Sequence, residues 1–340
     1  MGRIEPPGLS VSVVIVAFES GAGLVRCLRS LRDEEPEAEV IVVDNGGRDG
    51  DVVEPFAVRL VEPGRNAGFA AGCNLGAADA TGDVLLFLNP DTVIGPGAIA
   101  SLAQALDDRS IGIAMPRLRL LDRPELLNSA GAVIHVSGLA WAGRYGEPAE
   151  DVSEVEEIPA PSGAAMAIRR ELFRELGGFT GELFMYHEDI ELGWRARLRG
   201  LRVVVLPGAD VYHEYEFGRH PAKVALLERN RLVFVLTAYS LRLLLLLGPV
   251  LAAGELAMLV LSARRRWFRG KLGGWWWCVR HGRWLLRHRR ATQRLRKVRD
   301  RELARFLTPD LDPRMVALPR GVAAANRVLE PYWALARKVL

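Results

Sequence analysis

Short apolar runs alternate with segments of helical spacing along the amino-terminal part of the chain. Residues 84–88 are five consecutive apolar residues, and similar runs cover residues 11–17, 40–43 and, more briefly, 58–61. Apolar runs without polar alternation are typical of strands buried on both faces of a parallel sheet that helices cover. The pattern therefore predicts an α/β fold with a mostly parallel central sheet flanked by helices.

Helical spacing follows the first of these runs. Leu24, Cys27, Leu28 and Leu31 recur at intervals of three and four residues, and Ser20 stands where a helix N-cap is expected. By the same criteria we predict helices near residues 97–106 and 170–176, strands near residues 111–115 and 203–206, and a hairpin within residues 117–158. Strands and helices thus alternate as they do in nucleotide-binding α/β folds.

Polar residues stand at the carboxyl ends of two predicted strands. Asp44 follows the second strand, and Asn89, Pro90 and Asp91 follow the strand at residues 84–88. In open α/β sheets ligands bind beyond the carboxyl ends of the strands, where a carboxylate such as Asp44 accepts hydrogen bonds from a ribose or a base. The alternative is a structural role, because Asp, Asn and Pro are also common turn formers.

Residues 65–76 are rich in small side chains. Arg65 and Asn66 precede Gly68, and small residues continue to Gly76. A helix of this composition lets its backbone approach a ligand closely, and its N-terminus beside Arg65 suits a phosphate group. Close packing of the helix on the sheet is the structural alternative.

Three acidic residues, Glu188, Asp189 and Glu191, begin another predicted helix after an aromatic run. Acids in a first helical turn are favoured by the helix dipole, so a structural origin is credible. Glu191 and Arg195, four residues apart, are predicted to form a surface ion pair. Partial burial of Glu188 and Asp189 would raise the pKa of their carboxyls. His213, after the last predicted strand, is by itself more often a structural residue.

The carboxyl-terminal third begins with an apolar segment at residues 232–263. Its longest stretch without a charged residue is residues 243–254. A membrane-spanning helix needs about 20 apolar residues, so the pattern does not predict a clean transmembrane helix. Pro249 is expected to kink or split any helix formed there.

A basic, tryptophan-rich segment follows at residues 264–299. It carries fourteen Lys or Arg residues, no acidic residue and five of the eight tryptophans, although the net charge of the whole chain is only +4. Tryptophan with Lys and Arg is typical of elements that lie in an anionic lipid headgroup layer. A nucleic-acid-binding stripe and a solvated basic helix are the alternatives. The apolar density favours the membrane surface, and no nucleic acid partner is expected.

Together these motifs resemble those of family 2 glycosyltransferases with the GT-A fold, and most closely the rhamnosyltransferase-type branch of bacterial cell-surface polysaccharide synthesis. The resemblance covers about residues 9–240. It rests on the order of the motifs along the chain: the strand ending in Asp44, Asn66-Ala67-Gly68-Phe69, Asn89-Pro90-Asp91, Gly177-Gly178-Phe179, Tyr186-His187-Glu188-Asp189, and His213.

The resemblance implies an inverting single displacement at a nucleotide-diphosphate sugar, with a divalent cation, Mg²⁺ or Mn²⁺, on the diphosphate. Asn89 and Asp91 occupy the two Asp positions of the family's Asp-X-Asp motif, so Asp91 is expected to hold the cation with His213 as a second ligand. In the acidic pair Glu188-Asp189, Asp189 is the expected general base. The implied donor-binding residues are Ala17, Glu19, Asp44, Arg65, Asn66, Gly68, Asn89 and Asp91.

The same resemblance favours dTDP-rhamnose as the donor and a lipid-linked or glycan acceptor at the cytoplasmic face of the bacterial inner membrane. Transfer from a UDP-sugar, galactofuranosyl or hexosyl, is an alternative. A nucleotidyltransferase and an inactive sugar-nucleotide-binding protein also remain open, the latter because of Asn89. The expected organisation is a GT-A catalytic domain at residues 1–225, a helical membrane-associating region at 226–300 and a helical tail at 301–340.

Overall fold

The computed structural model describes residues 8–214, 223–264, 267–312 and 321–340. Thirteen strands occur in the described residues: β1 (Val11–Ala17), β2 (Glu39–Asp44), β3 (Arg59–Val61), β4 (Val84–Leu88), β5 (Thr92–Ile94), β6 (Ile111–Leu120), β7 (Leu127–Ser129), β8 (Ala132–His135), β9 (Ala140–Ala142), β10 (Glu156–Glu157), β11 (Ala165–Arg169), β12 (Arg202–His213) and β13 (Leu307–Thr308). The α-helices of the same residues are α1 (Gly21–Glu34), α2 (Gly50–Val53), α3 (Phe69–Asp79), α4 (Ala98–Ala105), α5 (Arg170–Leu176), α6 (Glu188–Leu198), α7 (Lys223–Ala238), α8 (Leu241–Arg264), α9 (Phe268–Arg280), α10 (Gly282–Arg294), α11 (Asp300–Ala304) and α12 (Val322–Lys338).

A mixed sheet forms the centre of the molecule, with the strand order β10-β12-β6-β11-β4-β1-β2-β3. The strands β4, β1, β2 and β3 are parallel, as are β6 and β12, whereas β11 runs antiparallel between β4 and β6. The short strands β5 and β7 pair with β12 and β6. The prediction of an α/β fold with flanking helices is confirmed.

All five residues of β4 are buried, because β1 and β11 lie on either side of it and helices cover both faces. Helix α3 approaches this sheet closely through its glycines. A Cβ atom added at Gly72 would lie 2.8 Å from Val16, and one added at Gly76 would lie 2.5 Å from Val14. The small residues of α3 therefore serve close packing on the sheet, the structural alternative that the sequence left open.

The start of α1 departs from the prediction at Ser20. Ser20 stands at the N-cap position, but its hydroxyl accepts a hydrogen bond from the backbone N–H of Phe18 and caps nothing in the helix. The buried carboxylate of Asp49 instead accepts the backbone N–H groups of Ser20 and Gly21, at 2.9 and 3.0 Å. The cap of α1 thus comes from a residue far along the chain, which a local pattern does not reveal.

Helix α8 is one continuous helix of 24 residues, so Pro249 does not split it. By length and composition it is the single helix of the described residues that is able to cross a membrane, and few of its residues are buried. Of the expected kink or split at Pro249, the split does not occur, because a proline removes one backbone hydrogen bond without necessarily ending a long apolar helix; the kink stays a prediction.

A buried network of charges ties α8 to its neighbours. Glu255 of α8 pairs with Arg231 of α7 and, at 2.8 Å, with Lys271 of α9, while Glu228 of α7 pairs with the same two cations. The indole N–H of Trp275 also donates to Glu255, at 2.7 Å. Because each charge is compensated, the network fixes which face of α8 turns toward α7 and α9.

The carboxyl-terminal helices share a core with the amino-terminal part of the chain. Trp194 of α6 packs against Phe234 of α7, with ring centroids 5.7 Å apart, and Trp333 of α12 lies in the same buried cluster. Strand β13 pairs in parallel with β8, placing Leu307 beside Ile134 in a small second sheet with β9. The predicted domain boundaries, after residues 225 and 300, stay a prediction. Buried side chains from all three segments pack in one cluster.

Candidate active site

The carboxyl ends of β1, β2 and β4 meet at one edge of the sheet. Ala17 and Asp44 are paired in register at the ends of β1 and β2, and Asn89 directly follows β4. The buried Asp44 carboxylate accepts four backbone N–H groups of the loop after β2, among them Gly47 at 2.8 Å and Asp49 at 2.9 Å. Asp44 therefore shapes this loop, and its contact with a donor stays a prediction.

The predicted phosphate site at the start of α3 is built around Gly68. This residue has φ = 84°, and a Cβ added to it would lie 2.6 Å from the backbone oxygen of Phe184. The same oxygen accepts the N–H of Ala70 at 3.0 Å. The side chain of Asn66 accepts the N–H of Gly68, and Arg65 is exposed. Two backbone N–H groups of this helix end, those of Gly68 and Ala70, are thus already used, although Arg65 stays accessible.

Glu19, the remaining predicted donor contact, lies in the exposed turn after β1. It adopts φ = 53° and forms an ion pair with Arg48 at 3.0 Å, with both side chains largely exposed. A carboxylate so placed is available to a ligand at the sheet edge.

Asp91 and His213 lie side by side, because β5, which follows Asp91, pairs with the end of β12. The Nε2 atom of His213 is 3.2 Å from the Oδ1 atom of Asp91. On the other side of the ring, Nδ1 lies 3.0 Å from Oδ1 of Asn128 in β7. Because that amide oxygen only accepts, Nδ1 donates a hydrogen bond to it and the other ring nitrogen, Nε2, faces Asp91.

This arrangement fits a divalent cation. Neighbouring ligands of an octahedral Mg²⁺ or Mn²⁺ are about 3 Å apart, and Nε2 of His213 and Oδ1 of Asp91 are 3.2 Å apart. Among the described residues no group of three or more His, Cys, Asp or Glu side chains has metal-binding geometry. Asp91 and His213 would be the protein ligands, and diphosphate oxygens and waters would complete the shell.

Asn128 is a residue that the sequence reasoning missed. It lies within the polar excursion of residues 117–158, where no motif singles it out. A metal-ligating histidine usually donates its second ring N–H to such a partner, which fixes its tautomer and orientation. Asn128 has this relation to His213.

The loop before the acidic pair is strained. Phe184, Tyr186 and His187 have φ values of 66°, 69° and 71°, in the left-handed region that non-glycine residues seldom adopt. Burial lowers the pKa of His187 to about 4, so its neutral ring donates an Nε2–H to the carbonyl of Gly138 at 3.0 Å. Backbone strain of this kind persists only where the surroundings enforce it, and it clusters at functional sites.

Helix α7 holds this loop in place through Asn230. The fully buried side-chain amide donates to the carbonyls of Leu183, Met185 and Tyr186, at 3.0, 2.9 and 2.6 Å. The neighbouring Arg229 also donates to the carbonyl of Leu183, at 2.7 Å. Sequence reasoning missed both residues, although a run of polar residues in an otherwise apolar helix was a usable signal.

Glu188 and Asp189 stand in the first turn of α6. Burial, and then the charge of Asp189, raises the pKa of Glu188 well above its ordinary value. Burial also raises the pKa of Asp189, but the N–H groups of Gly163 and Ile190, both at 2.8 Å, hold that rise back. The pKa of Glu188 is therefore raised further than that of Asp189, so Asp189 is the member of the pair that ionises first.

The predicted surface pair Glu191–Arg195 forms, but it is buried. Glu191 is fully buried and lies 2.6 Å from Arg195, while its other contacts are the hydroxyl of Thr180 and the ring of His288. Burial alone would raise the pKa of Glu191, but the charge of Arg195 and the hydrogen bonds outweigh it and bring the pKa to about 2. The surface location was wrong, because α10 covers this face of α6.

A cavity of about 1190 Å³ joins several of these residues. At its polar end it is lined by Asn89, Asn128, Glu188, Asp189 and His213. Elsewhere its wall is mostly apolar, with residues of α8, α12 and the β8–β9 hairpin, and it includes the cations Lys223 and Arg264. The predicted catalytic pair and His213 thus face one space, whereas Asp91, Asp44 and Arg65 lie outside its lining.

Residues 12–177 match the model of the family described as glycosyl transferase family 2. The N-acetylglucosaminyl-diphospho-decaprenol L-rhamnosyltransferase of Mycobacterium tuberculosis is 31% identical over 261 residues, which are 67% of this chain and 84% of that protein. The pre-mycofactocin glycosyltransferase of the same organism is 30% identical over 215 residues, 62% of this chain and 44% of that protein.

The fold also has solved counterparts. The crystal structure of GalNAc-T7 with UDP, GalNAc and Mn²⁺ superposes with a TM-score of 0.58 at 23% identity, covering 68% of this chain and 48% of that one. S. aureus TarS 1-349 in complex with UDP-GlcNAc gives 0.51 at 14% identity, covering 97% and 91%. At these identities the likeness concerns the fold alone.

The chain therefore belongs to glycosyl transferase family 2. The protein is a glycosyltransferase with a GT-A-like α/β sheet, and the family, fold and enzyme class predicted from the sequence are confirmed.

Proposed function

We propose that the protein transfers an L-rhamnosyl group, with inversion, from dTDP-rhamnose to a hydroxyl group of a lipid-linked sugar diphosphate. The observation that carries the proposal is the single cavity that contains Asp189 and His213 together. A base for the acceptor and a ligand for the donor's diphosphate are what a single displacement requires on the two sides of one sugar. The rhamnosyltransferase relative supports the choice of donor and acceptor.

Asp189 acts as the general base in this proposal. As the acceptor oxygen forms its bond to the anomeric carbon, the bond from that carbon to the diphosphate breaks, and the acceptor proton passes to the Asp189 carboxylate. The hydrogen bonds from Gly163 and Ile190 fix the two carboxylate oxygens during this step. A base held in this way contributes roughly 10²–10⁴-fold to the rate.

Asp91 and His213 would hold Mg²⁺ or Mn²⁺ against the donor. When bound, the cation stabilises the negative charge that develops on the leaving diphosphate, without any proton transfer. The role of Asn128 is to keep the His213 ring oriented with Nε2 toward Asp91.

Product analysis tests the reaction. Incubation with dTDP-rhamnose and N-acetylglucosaminyl diphosphate lipid should release dTDP and a rhamnosylated lipid. Release of pyrophosphate would indicate nucleotidyl transfer instead, and turnover with UDP-sugars but not with dTDP-rhamnose would contradict the donor assignment. A protein that binds the donor without turnover would contradict the proposal that it is active.

The metal assignment is tested by donor binding, which needs no turnover. Asp91→Ala should abolish the cation-dependent stabilisation of the protein by dTDP-rhamnose in a thermal shift assay, and His213→Ala should weaken it. Asn128→Ala should lower the apparent cation affinity by roughly 10–100-fold, as is usual for the partner of a ligating histidine. Donor binding that is equally strong in excess chelator would overturn the metal role of Asp91 and His213.

We further propose that α9 and α10 dock the enzyme on the anionic cytoplasmic leaflet. Leu272, Trp276 and Val279 recur on the exposed side of α9, and Leu286 is exposed on α10. Exposed arginines flank them, whereas Trp275 is held by its bond to Glu255. Apolar insertion combined with basic residues suits a headgroup layer.

Vesicle binding tests this docking face. Binding to vesicles containing anionic lipid should weaken at high salt without vanishing, because salt screens the arginines but not the apolar contacts. Trp276→Ala should make binding fully salt-reversible. A protein that stays unbound at low salt would contradict the docking.

A further inference from the structure

One face of α8 forms an apolar wall of the active-site cavity. The residues of this wall recur at the spacing of a single helical face: Ala253, Leu256, Ala257, Val260 and Leu261. Leu256 is 63% exposed and Val260 is 46% exposed, so both side chains are open to solvent. Val322 and Ala325 of α12 line the same cavity. The wall is therefore an accessible apolar surface that is continuous with the acidic pair.

The orientation of this wall is fixed by the other side of α8. Glu255 lies among the wall residues in sequence, yet its carboxylate is bound by Arg231 and Lys271 of the neighbouring helices. Breaking one partner of such a network leaves a buried charge uncompensated, so α8 does not rotate freely. The apolar face is consequently directed at the cavity by the fold.

A cation stands near the acidic end of the same cavity. Lys223, the first residue of α7, lines the cavity, and its Nζ atom lies 5.4 Å from the ring centroid of Tyr186, two residues before Glu188. The cavity thus presents a carboxylate pair, an ammonium group and an apolar wall. An amphipathic acceptor has three corresponding parts. Its hydroxyl suits the carboxylate pair, its diphosphate suits the ammonium group, and its hydrocarbon chain suits the apolar wall.

We infer that the α8–α12 wall, defined as Ala253, Leu256, Ala257, Val260, Leu261, Val322 and Ala325, is a subsite for the isoprenoid chain of the acceptor, and that Lys223 binds the acceptor's diphosphate. The inference rests on the proposed function, since it places the acceptor whose hydroxyl reaches Asp189. It goes beyond that function by assigning recognition of the lipid chain to the enzyme itself, in addition to the membrane.

Acceptors of graded chain length test the subsite. N-acetylglucosaminyl diphosphate esterified to methanol, geraniol or farnesol would be compared without vesicles or detergent, so that partition into a membrane plays no part. The KM for the acceptor should fall by roughly ten-fold for each isoprenoid unit that the wall covers, because each buried methylene contributes to binding. The kcat should change little, since the chain is bound equally in the ground and transition states.

Two matched pairs of variants locate the effect. Ala257→Trp fills the wall and should abolish the dependence of KM on chain length, whereas Ala252→Trp places the same side chain on an exposed part of α8 outside the cavity and should preserve it. Lys223→Gln should raise the KM of every probe by about the same factor, without changing the KM for the donor. Lys297→Gln, which removes an exposed lysine elsewhere, should not.

The outcomes separate this inference from the proposed function. Rhamnose transfer with one KM for all chain lengths, unchanged by Ala257→Trp, would overturn the subsite and leave the function standing. Stronger vesicle binding in Ala257→Trp, with no chain-length effect, would assign the wall to the membrane instead. If no probe accepts rhamnose, the proposed function fails. Calorimetric binding of the same probes then decides, because affinity that rises with chain length supports the subsite and equal affinities overturn it.

Discussion

The first turn of α6 places three acidic side chains in two opposite electrostatic surroundings. Burial raises the pKa of Glu188 and of Asp189. Glu191 in the same turn is fully buried, yet its pKa falls to about 2 because Arg195 lies 2.6 Å away. Burial is common to all three acids, so the partner decides whether a carboxylate is held ready for a proton or locked as a structural charge.

The largest expected effect on kcat tests the acidic pair, Glu188 and Asp189. Asp189→Asn keeps the shape of the side chain but removes the proton acceptor, so kcat should fall by roughly 10²–10⁴-fold while the free energy of unfolding changes little. Glu188→Gln is the matched control, and kcat should change far less because Asp189 is the proposed proton acceptor. Steady-state kinetics of both variants would be measured. Near-normal turnover in Asp189→Asn would remove it as the base, and a loss confined to Glu188→Gln would move the role there.

Substitution of Glu191 should show the reverse phenotype, a loss of stability. Glu191→Gln leaves Arg195 as a buried, uncompensated charge and should lower the free energy of unfolding by about 3 kcal/mol, read from the midpoint of urea denaturation. Glu175→Gln, which breaks an exposed pair with Arg199, should stay within about 0.5 kcal/mol. Equal stability of the two variants would contradict the structural role of the buried Glu191.

The pH dependence of this stability has a definite sign. The pKa of Glu191 is depressed in the folded protein, so its stabilising contribution is present above the unfolded value of about 4.3. As pH falls from there toward about 2, the contribution is lost. The difference in unfolding free energy between wild type and Glu191→Gln should narrow over that window.

A smaller effect on kcat is expected from the contact between α7 and the loop before Glu188. Asn230→Ala removes three hydrogen bonds to the loop before Glu188 and should lower kcat by roughly 10–100-fold through misplacement of Asp189, with the KM for the donor preserved. Gln293→Ala is the control, since it removes side-chain bonds to the carboxyl end of α7 without touching the loop. If both variants lose stability but neither loses kcat, Asn230 has no positioning role.

The smallest effect concerns the pH profile of catalysis. The base must be ionised, and burial raises the pKa of Asp189. The acid limb of kcat/KM should therefore lie above the value of about 3.9 that is typical of an unperturbed Asp. The protein must remain folded over this range, which circular dichroism at each pH checks. An acid limb at or below that value would indicate that the base is a paired carboxylate rather than Asp189 or Glu188.

The sequence by itself determined the α/β class, the buried strand β4, the helix α5 and the position of the acidic pair. Each of these depends on short-range patterns. The five apolar residues of β4 are buried whichever helices cover them, and the α5 range of Arg170–Leu176 was predicted at both ends because Gly177 follows it with a left-handed φ of 89°. Local patterning is sufficient where the stabilising contacts are local or non-specific.

Only the tertiary structure decided which polar residues have a partner. Asp49 caps α1, Asn128 orients His213, Asn230 holds the loop before Glu188, and Arg195 neutralises Glu191 in the interior. Apart from the last, these contacts join residues far apart in the sequence. The free energy of a buried polar group depends on the atoms within hydrogen-bond reach of it. The chain pattern specifies which residues are polar, but the packing of β7, α7 and α10 determines which atoms meet them.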